Sequence, residues 1–444
     1  MALVCILLTA HQPLHLNKWF LYNRVKWIAD GASVLDKYFD EQLDASSFRD
    51  KSQKCYRPAI AALSRLCSTP GTEANRFRFS FAPSGLFLEQ VSRYDPSLGE
   101  TMKSLSVSGA MEVLGFPYYG SLSSLYVDAT GFQQEVREQG ELASSILGAK
   151  PTFFLNTDYI YNDSVGQTAS ELGFRGVVLE ADKRLKIPEG RVYVARPPSD
   201  LRLIPRNETL SDALLSASSE GASESPVQPA RRYVEKMAKT AAEVVVISLD
   251  LEIIGSSLGK GVLGLLGHLA QEVSTHGGFH WASISEAAQG LPAAGAILIP
   301  VSQTVSRADR GIGVSAWLGN PLQRIAFERI RKLKPLVDEV GDKNIFRMWQ
   351  SLQQGTILLD MWDSTYDGRL STGYHPSYAS PAEAYAVFDA IYMDFEGKVA
   401  TVVHKARKAK AQPTPSPAKP AQPPSNLFTV PAPSQYDYGQ PIRY

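Results

Sequence analysis

The residues of this 444-residue chain that could do chemistry stand at the ends of apolar runs. VVVISLDLEIIG, Val244 to Gly255, places Asp250 and Glu252 directly after a short β-branched run that reads as a core strand. A carboxylate without a partner is costly to bury, so these acids either reach solvent at a strand mouth or work there. PTFFLNTD, from Pro151, ends in Asn156, Thr157 and Asp158, and the first apolar run leads into His11, Gln12 and Pro13. Brought to one opening, these ends supply a histidine, amides and two or three carboxylates. Two opposed carboxylates are the minimum kit for cleaving a glycosidic bond, one as acid/base and the other as nucleophile or base. The chain has 19 tyrosines and 6 tryptophans, residues that suit sugar stacking, although most belong to a core. The plainer reading of Asp158 and Asp250 is a helix cap or strand-end residue at a solvated rim.

The elements that must position these groups follow from the spacing of apolar runs. Strands are expected at LVCILLTA (from Leu3), RFRFSF (from Arg76), AMEVLG (from Ala110), PTFFLNT (from Pro151), RGVVLE (from Arg175), VVVISLD (from Val244) and ILIPVS (from Ile297). Helical patterns alternate with them; in NDSVGQTASELGF, Asn162 or Asp163 caps a helix and Gly173 stops it. Such alternation implies parallel strands with right-handed crossovers. About seven units fit an α/β fold closed as an incomplete (β/α) barrel, whose reactive groups gather at the C-terminal strand ends. Ser216 to Pro229 is polar and loop-like, a lid or insertion. From Trp317 to Val402 the pattern is mostly helical, and after Lys410 the chain turns rich in Pro, Ala, Ser and Gln. The expected division is a barrel over 1–305, a helical domain over 306–405 and a Pro-rich disordered tail over 406–444. The tail carries QYDYGQPIRY, which could dock a protein partner.

Lys+Arg and Asp+Glu number 45 each, which gives no electrostatic case for nucleic acid or an anionic membrane. Cys5, Cys55 and Cys67 lack zinc-ligand spacing and suggest inert thiols in a reducing, cytoplasmic compartment. No apolar run approaches the roughly 20 residues of a membrane span, and MALVCILLTA reads as a first strand rather than a signal peptide. His11 and His15 form HxxxH, a metal pair when helical; Pro13 speaks against the helix, and a metal-dependent deacetylase is a minor alternative. GSSLGKG, from Gly255, is one residue short of a phosphate loop, and KARKAK, from Lys405, reads as a solvated helix end. No cofactor or metal is expected.

HQPLHL, AMEVLGFPYYGSLSSLY, FFLNTDYIYNDSVGQTASELGFRGVVLEAD and VVVISLDLEIIG resemble, in order, the first four motifs of glycoside hydrolase family 57, in its α-amylase-like branch. KYFDEQL, KCYRP, FLEQ, VSAWLGN and SPAEAYAVFDAIYMDF resemble the family between and after them, so the likeness runs from residue 1 to about 400. The resemblance implies a seven-stranded (β/α) barrel, a helical domain, and retaining cleavage or transfer of α-glucosidic bonds without a cofactor. By position, Asp250 takes the place of the acid/base and Asp158 that of the nucleophile. His11 takes the place of a sugar-binding histidine, and Glu252 matches an acid beside the acid/base. Gln12, Tyr118, Tyr119 and Trp317 complete the expected contacts to an α-glucan or oligosaccharide.

The departures are as specific as the matches. The family places Glu where this chain has Asp158. Gly120 stands where the second motif has His, Ser256-Ser257 where Glu-His tends to follow Gly255, Thr356-Ile357 where the fifth motif has Asp-His, and Arg307 where a Trp precedes Ala308-Asp309. Retaining carboxyls stand about 5–5.5 Å apart. Glu→Asp withdraws a carboxylate by about 1–1.5 Å, and a misplacement of about 1 Å can cost roughly a hundredfold in rate. The sequence therefore carries two readings, an impaired α-glucan hydrolase or transferase and an inactive relative that binds glucan or a protein.

Overall fold

A computed structural model describes residues 1–29, 34–69, 75–182, 185, 187–196, 198, 200–220, 226–255, 260–308, 311–363 and 377–411. Its strands are β1 (Ala2–Ala10), β2 (Phe79–Pro83), β3 (Met111–Val113), β4 (Phe153–Leu155), β5 (Gly176–Leu179), β6 (Val192–Ala195), β7 (Arg202–Pro205), β8 (Val244–Asp250), β9 (Phe279–Trp281) and β10 (Ala293–Ile297), followed by a hairpin of β11 (Val305–Ser306) and β12 (Gly311–Ile312). Parallel pairing runs β3-β2-β1-β8 in one sheet and β7-β5-β4 in the other. Two links join the sheets. Gly115 beyond β3 bridges Phe154 of β4, and Asn207 just past β7 donates its N–H to Val246 O of β8 at 2.8 Å. The ring β1-β2-β3-β4-β5-β7-β8 is the expected incomplete barrel.

Strand sequences fit this placement because both faces of the ring strands are covered. Along β1, Cys5 and Leu7 join Ala82, Leu155, Val178, Ile204 and Val246 in one apolar cluster, while Val4, Ile6 and Leu8 join Phe79, Phe81, Val245 and Ile247 in another. Such strands read as unbroken apolar runs rather than alternating ones. Asn162 does cap the helix Asp163–Glu171, accepting from Val165 N at 3.1 Å, and Gly173 ends it at φ +86°.

Three expectations are corrected. The seventh barrel strand is β7 (RLIP), not the run from Ile297: Ile297 closes β10, which lies outside the ring beside β6, and Val301–Gln303 is a 3₁₀ turn. β7 is short, opens on Arg202 and ends in Pro205, so it gave little apolar signal. The polar stretch from Ser216 is largely helical, divided between Glu208–Glu220 and Val227–Ala238, with 221–225 outside the described residues. The second core also ignores a cut at 305: helices Pro321–Val340, Lys343–Ser351 and Pro381–Ala411 pack with Leu16, Phe20, Tyr38, Leu122 and Ile160, so the N-terminal loop after β1 belongs to both layers. The tail from residue 412, with its proposed partner, lies outside the described residues, as do Ser256, Ser257 and Asp309.

Candidate active site

Asp158 sits one turn beyond β4. Asn156 accepts from Thr157 N at 2.9 Å and starts a 3₁₀ turn, inside which Asp158 (φ 46°) and Tyr159 (φ 62°) both adopt left-handed backbone. That region costs non-glycine residues roughly 1–2 kcal/mol each and persists only where the surroundings enforce it. Two bonds to Arg307 do so. Arg307 N donates to Asp158 O at 2.9 Å, and Arg307 Nε donates to Asp158 Oδ1 at 2.6 Å. Asp158 Oδ2 is buried without a hydrogen-bond partner among the described residues.

Asp250 closes β8 at the same opening. Its Oδ1 accepts from Thr9 Oγ1, whose strand β1 pairs with β8 in register at Thr9 and Asp250. Arg307 Nη1 reaches Asp250 Oδ2 at 3.3 Å. One guanidinium thus touches both acids. Because it is a rigid plane about 2.3 Å across from Nε to Nη1, the bridged carboxylate oxygens lie within about 8 Å of each other. The structure therefore brings Asp158 and Asp250 together, with a cation between them. Burial alone would lower the Arg307 pKa, but the two carboxylates outweigh it and hold the guanidinium firmly charged.

A second arginine lies under the turn. Arg206, just beyond β7, pairs with Glu180, just beyond β5, and both side chains are sealed from solvent. The Arg206 and Arg307 guanidiniums lie 5.5 and 5.6 Å from the Tyr159 ring centroid, and the Tyr159 hydroxyl is bonded to Ser248 of β8. Burial pushes the Glu180 carboxyl up to about 7, partly offset by Arg206, with nearby negative charge including Asp158 adding to the rise. Tyr159 is thus a strut between the Asp158 turn and the strand that carries Asp250.

The other expected contacts divide. His11 is half-buried near Gly120: Nδ1 bonds Ser84 Oγ at 3.0 Å, Nε2 is covered and has no partner among the described residues, and desolvation, with Lys51 nearby, lowers its pKa to about 4, so the ring is neutral. A Cβ on Gly120 (φ +58°) would stand 2.8 Å from His11 Cε1, so the glycine lets the His11 ring fill space that a side chain there would claim. Trp317 is buried, its Nε1 without a partner among the described residues and 3.3 Å from where a Gly355 Cβ would stand; that point is also 3.8 Å from Thr157 Cγ2. His11, Trp317 and the Asp158 turn therefore share one neighbourhood.

Gln12 does not face it. It is fully buried, its amide oxygen accepting from Tyr56 OH at 3.0 Å and its amide nitrogen donating to Ser47 Oγ at 3.2 Å. Tyr118 donates to Glu89 at 2.9 Å, Tyr119 is buried beside it, and Glu252 sits half exposed on Lys51 at 3.0 Å; each is engaged by the protein. His15 pairs with Asp44 at 2.7 Å, so HxxxH forms no chelate here. Ile357, at the fifth motif's His, packs into the helical core.

Glu180 and Arg206 were missed by the sequence reading. Both are last residues of strand ends, the signal that singled out Asp158 and Asp250. Glu180 was passed over within its motif, and Arg206 follows the one barrel strand that the apolar pattern hid.

A (β/α) barrel with a helical layer and two facing acids at its strand ends defines a class of protein, and comparison gives the family. The model of glycosyl hydrolase family 57 matches residues 5–300, and the chain belongs to that family. A protein of Methanocaldococcus jannaschii named "Putative alpha-amylase" is 27% identical over 407 residues, 89% of this chain and 84% of that one. The fold is that of a family branching enzyme from Thermococcus kodakaraensis (TM-score 0.69, 11% identity, 91% of each chain). It also matches a 4-alpha-glucanotransferase from Thermococcus litoralis (TM-score 0.56, 12% identity), covering 88% of this chain but 59% of that one.

Proposed function

We propose that the chain acts on α-glucan, binding an α-glucan or malto-oligosaccharide at the mouth between β4 and β8, with Asp250 as acid/base and Asp158 as nucleophile of a slow retaining hydrolase or transferase. The observation that supports this most is the Arg307 bridge, which requires the two carboxylates to share one opening. In the productive state the Arg307 side chain swings out while its backbone bond to Asp158 O stays in place. Asp158 Oδ1 is then free to attack the anomeric carbon, and Asp250 protonates the leaving oxygen and later deprotonates water or an acceptor hydroxyl. Unmade bonds at His11 Nε2 and Trp317 Nε1 are available to sugar hydroxyls or an intervening water.

The same bridge favours a second reading, a relative that binds glucan without cleaving it. Arg307 neutralises both acids, and the histidines expected at Gly120 and Ile357 are gone. Reducing-end release from maltoheptaose separates the two. Turnover that Asp250→Asn abolishes, and that Arg307→Trp raises, supports the hydrolase or transferase. Saturable maltoheptaose binding with no turnover in wild type, Arg307→Trp and Asp158→Glu alike would leave the binder standing.

A further inference from the structure

The strand ends opposite the acid mouth carry a second polar site. A pocket of about 380 Å³ opens where β5 and β7 begin, lined among others by Ser170, Phe174, Arg175, Asp200, Arg202 and Gln289. Arg175 immediately precedes β5 and Arg202 opens β7. The two are tied through the backbone, Arg202 N donating to Arg175 O at 2.9 Å. Neither guanidinium has an ion-pair or hydrogen-bond acceptor among the described residues, and Asp200 in the same lining pairs with neither. Most of the other arginines here are spent on carboxylates: Arg57 on Asp95, Arg206 on Glu180, Arg329 on Asp389, Arg347 on Glu89. Two guanidiniums that line one pocket and are bound to no carboxylate among the described residues leave positive charge there for an anionic group to meet.

We propose that this pocket binds a small phosphorylated sugar. A phosphate monoester carries a charge of about −1.5 to −2 near pH 7 and presents oxygens that match the guanidinium fork. The pocket lies in the range of about 300–1,000 Å³ that small-molecule sites occupy, more than a bare phosphate needs. Its remaining polar groups suit hydroxyls: the Asp200 carboxylate accepts from them, and Gln289 and Ser170 donate and accept. Asp200 also disfavours a ligand that is anionic throughout, which selects one charged end and one neutral, hydroxylated end. The ligand is distinct from any glucan at the mouth, because the acids follow β4 and β8 whereas this pocket precedes β5 and β7.

Calorimetric titration of the full chain with glucose 6-phosphate, inorganic phosphate and glucose tests the proposal. Glucose 6-phosphate is expected to bind with Kd below about 1 mM at low salt, inorganic phosphate several-fold more weakly, and glucose not measurably. Excess maltotriose leaves that binding in place. Arg202→Gln weakens it roughly tenfold, as does Arg175→Gln, an exposed position whose loss leaves the melting temperature unchanged. Equal affinity for inorganic phosphate and glucose 6-phosphate would overturn the sugar class. Unaltered binding in both variants, or no binding by wild type, would overturn the site.

Discussion

Two guanidiniums lie over the Tyr159 ring, each holding carboxylates at the ends of barrel strands. Arg206 and Glu180 keep side-chain exposures of 5% and 1%, whereas Arg307 and Asp250 keep 23% and 31%. The sealed pair cannot exchange its partner for water or ligand, so each charge depends on the other. In the open group Asp250 can, because solvent or a sugar hydroxyl can take up what Arg307 releases there, whereas the Asp158 carboxylate keeps only 8% exposure. Chemically similar pairs thus serve different ends, one fixing the floor beneath the Asp158 turn and the other sitting where substrate must come.

The largest effect expected from breaking the contrast is on stability. Arg206→Met strands the Glu180 carboxylate in the interior and should cost about 3–5 kcal/mol, read by urea denaturation. Arg307→Gln leaves Asp250 (31% exposed) to solvent but takes an ion pair from Asp158 (8% exposed), and should cost less, about 1–3 kcal/mol, by the same measurement. Near-equal losses would erase the distinction.

Activity comes next. Asp250→Asn keeps the Thr9 contact geometry yet removes the proton donor, and should lower maltoheptaose turnover by roughly a hundredfold or more. Asp158→Glu moves the carboxylate forward by about 1–1.5 Å and should raise kcat by up to roughly a hundredfold when combined with Arg307→Trp, with less effect alone because the guanidinium still holds the acid. A rise in the single variant equal to that in the double would show that Arg307 is no obstacle.

The smallest effect is in pH dependence. Glu180 is raised in the fold to about 7 from an ordinary 4.5, so the native state binds more protons than the unfolded chain between those values. Its contribution to stability is fully present below about 4.5 and is lost as pH rises through about 7. His11, lowered to about 4 from 6.5, acts oppositely: its contribution is present above about 6.5 and is lost as pH falls through about 4. Glu180→Gln should therefore flatten the decline between pH 4.5 and 7 without touching the His11 slope, as followed by thermal melts across that range.

Much of the barrel was legible because its strands are covered on both faces. A run such as VVVISLD, buried on each side, has no polar alternation to disguise it. The expected strands near Leu3, Ala110, Pro151, Arg175 and Val244 appear close to where apolar content alone placed them. RLIP was illegible for the converse reason: four residues, the last of them Pro205, carry too little pattern to separate a strand from a loop. The joint core of Leu16, Phe20 and Tyr38 with the C-terminal helices was also illegible, since packing between segments hundreds of residues apart leaves no local period.

Which residues stand at strand ends could be read along the chain, because strand length and the position of the first acid are local properties. That put Asp158 and Asp250 forward, and it flagged Arg307 as out of place. Folding in three dimensions is what lets Arg307 reach both acids, turns Gln12 inward to Tyr56 and Ser47, and puts His11 in the space Gly120 leaves. Those outcomes depend on which side chain from a distant segment fills a given few ångströms. Close packing sets that, and one-dimensional spacing does not encode it.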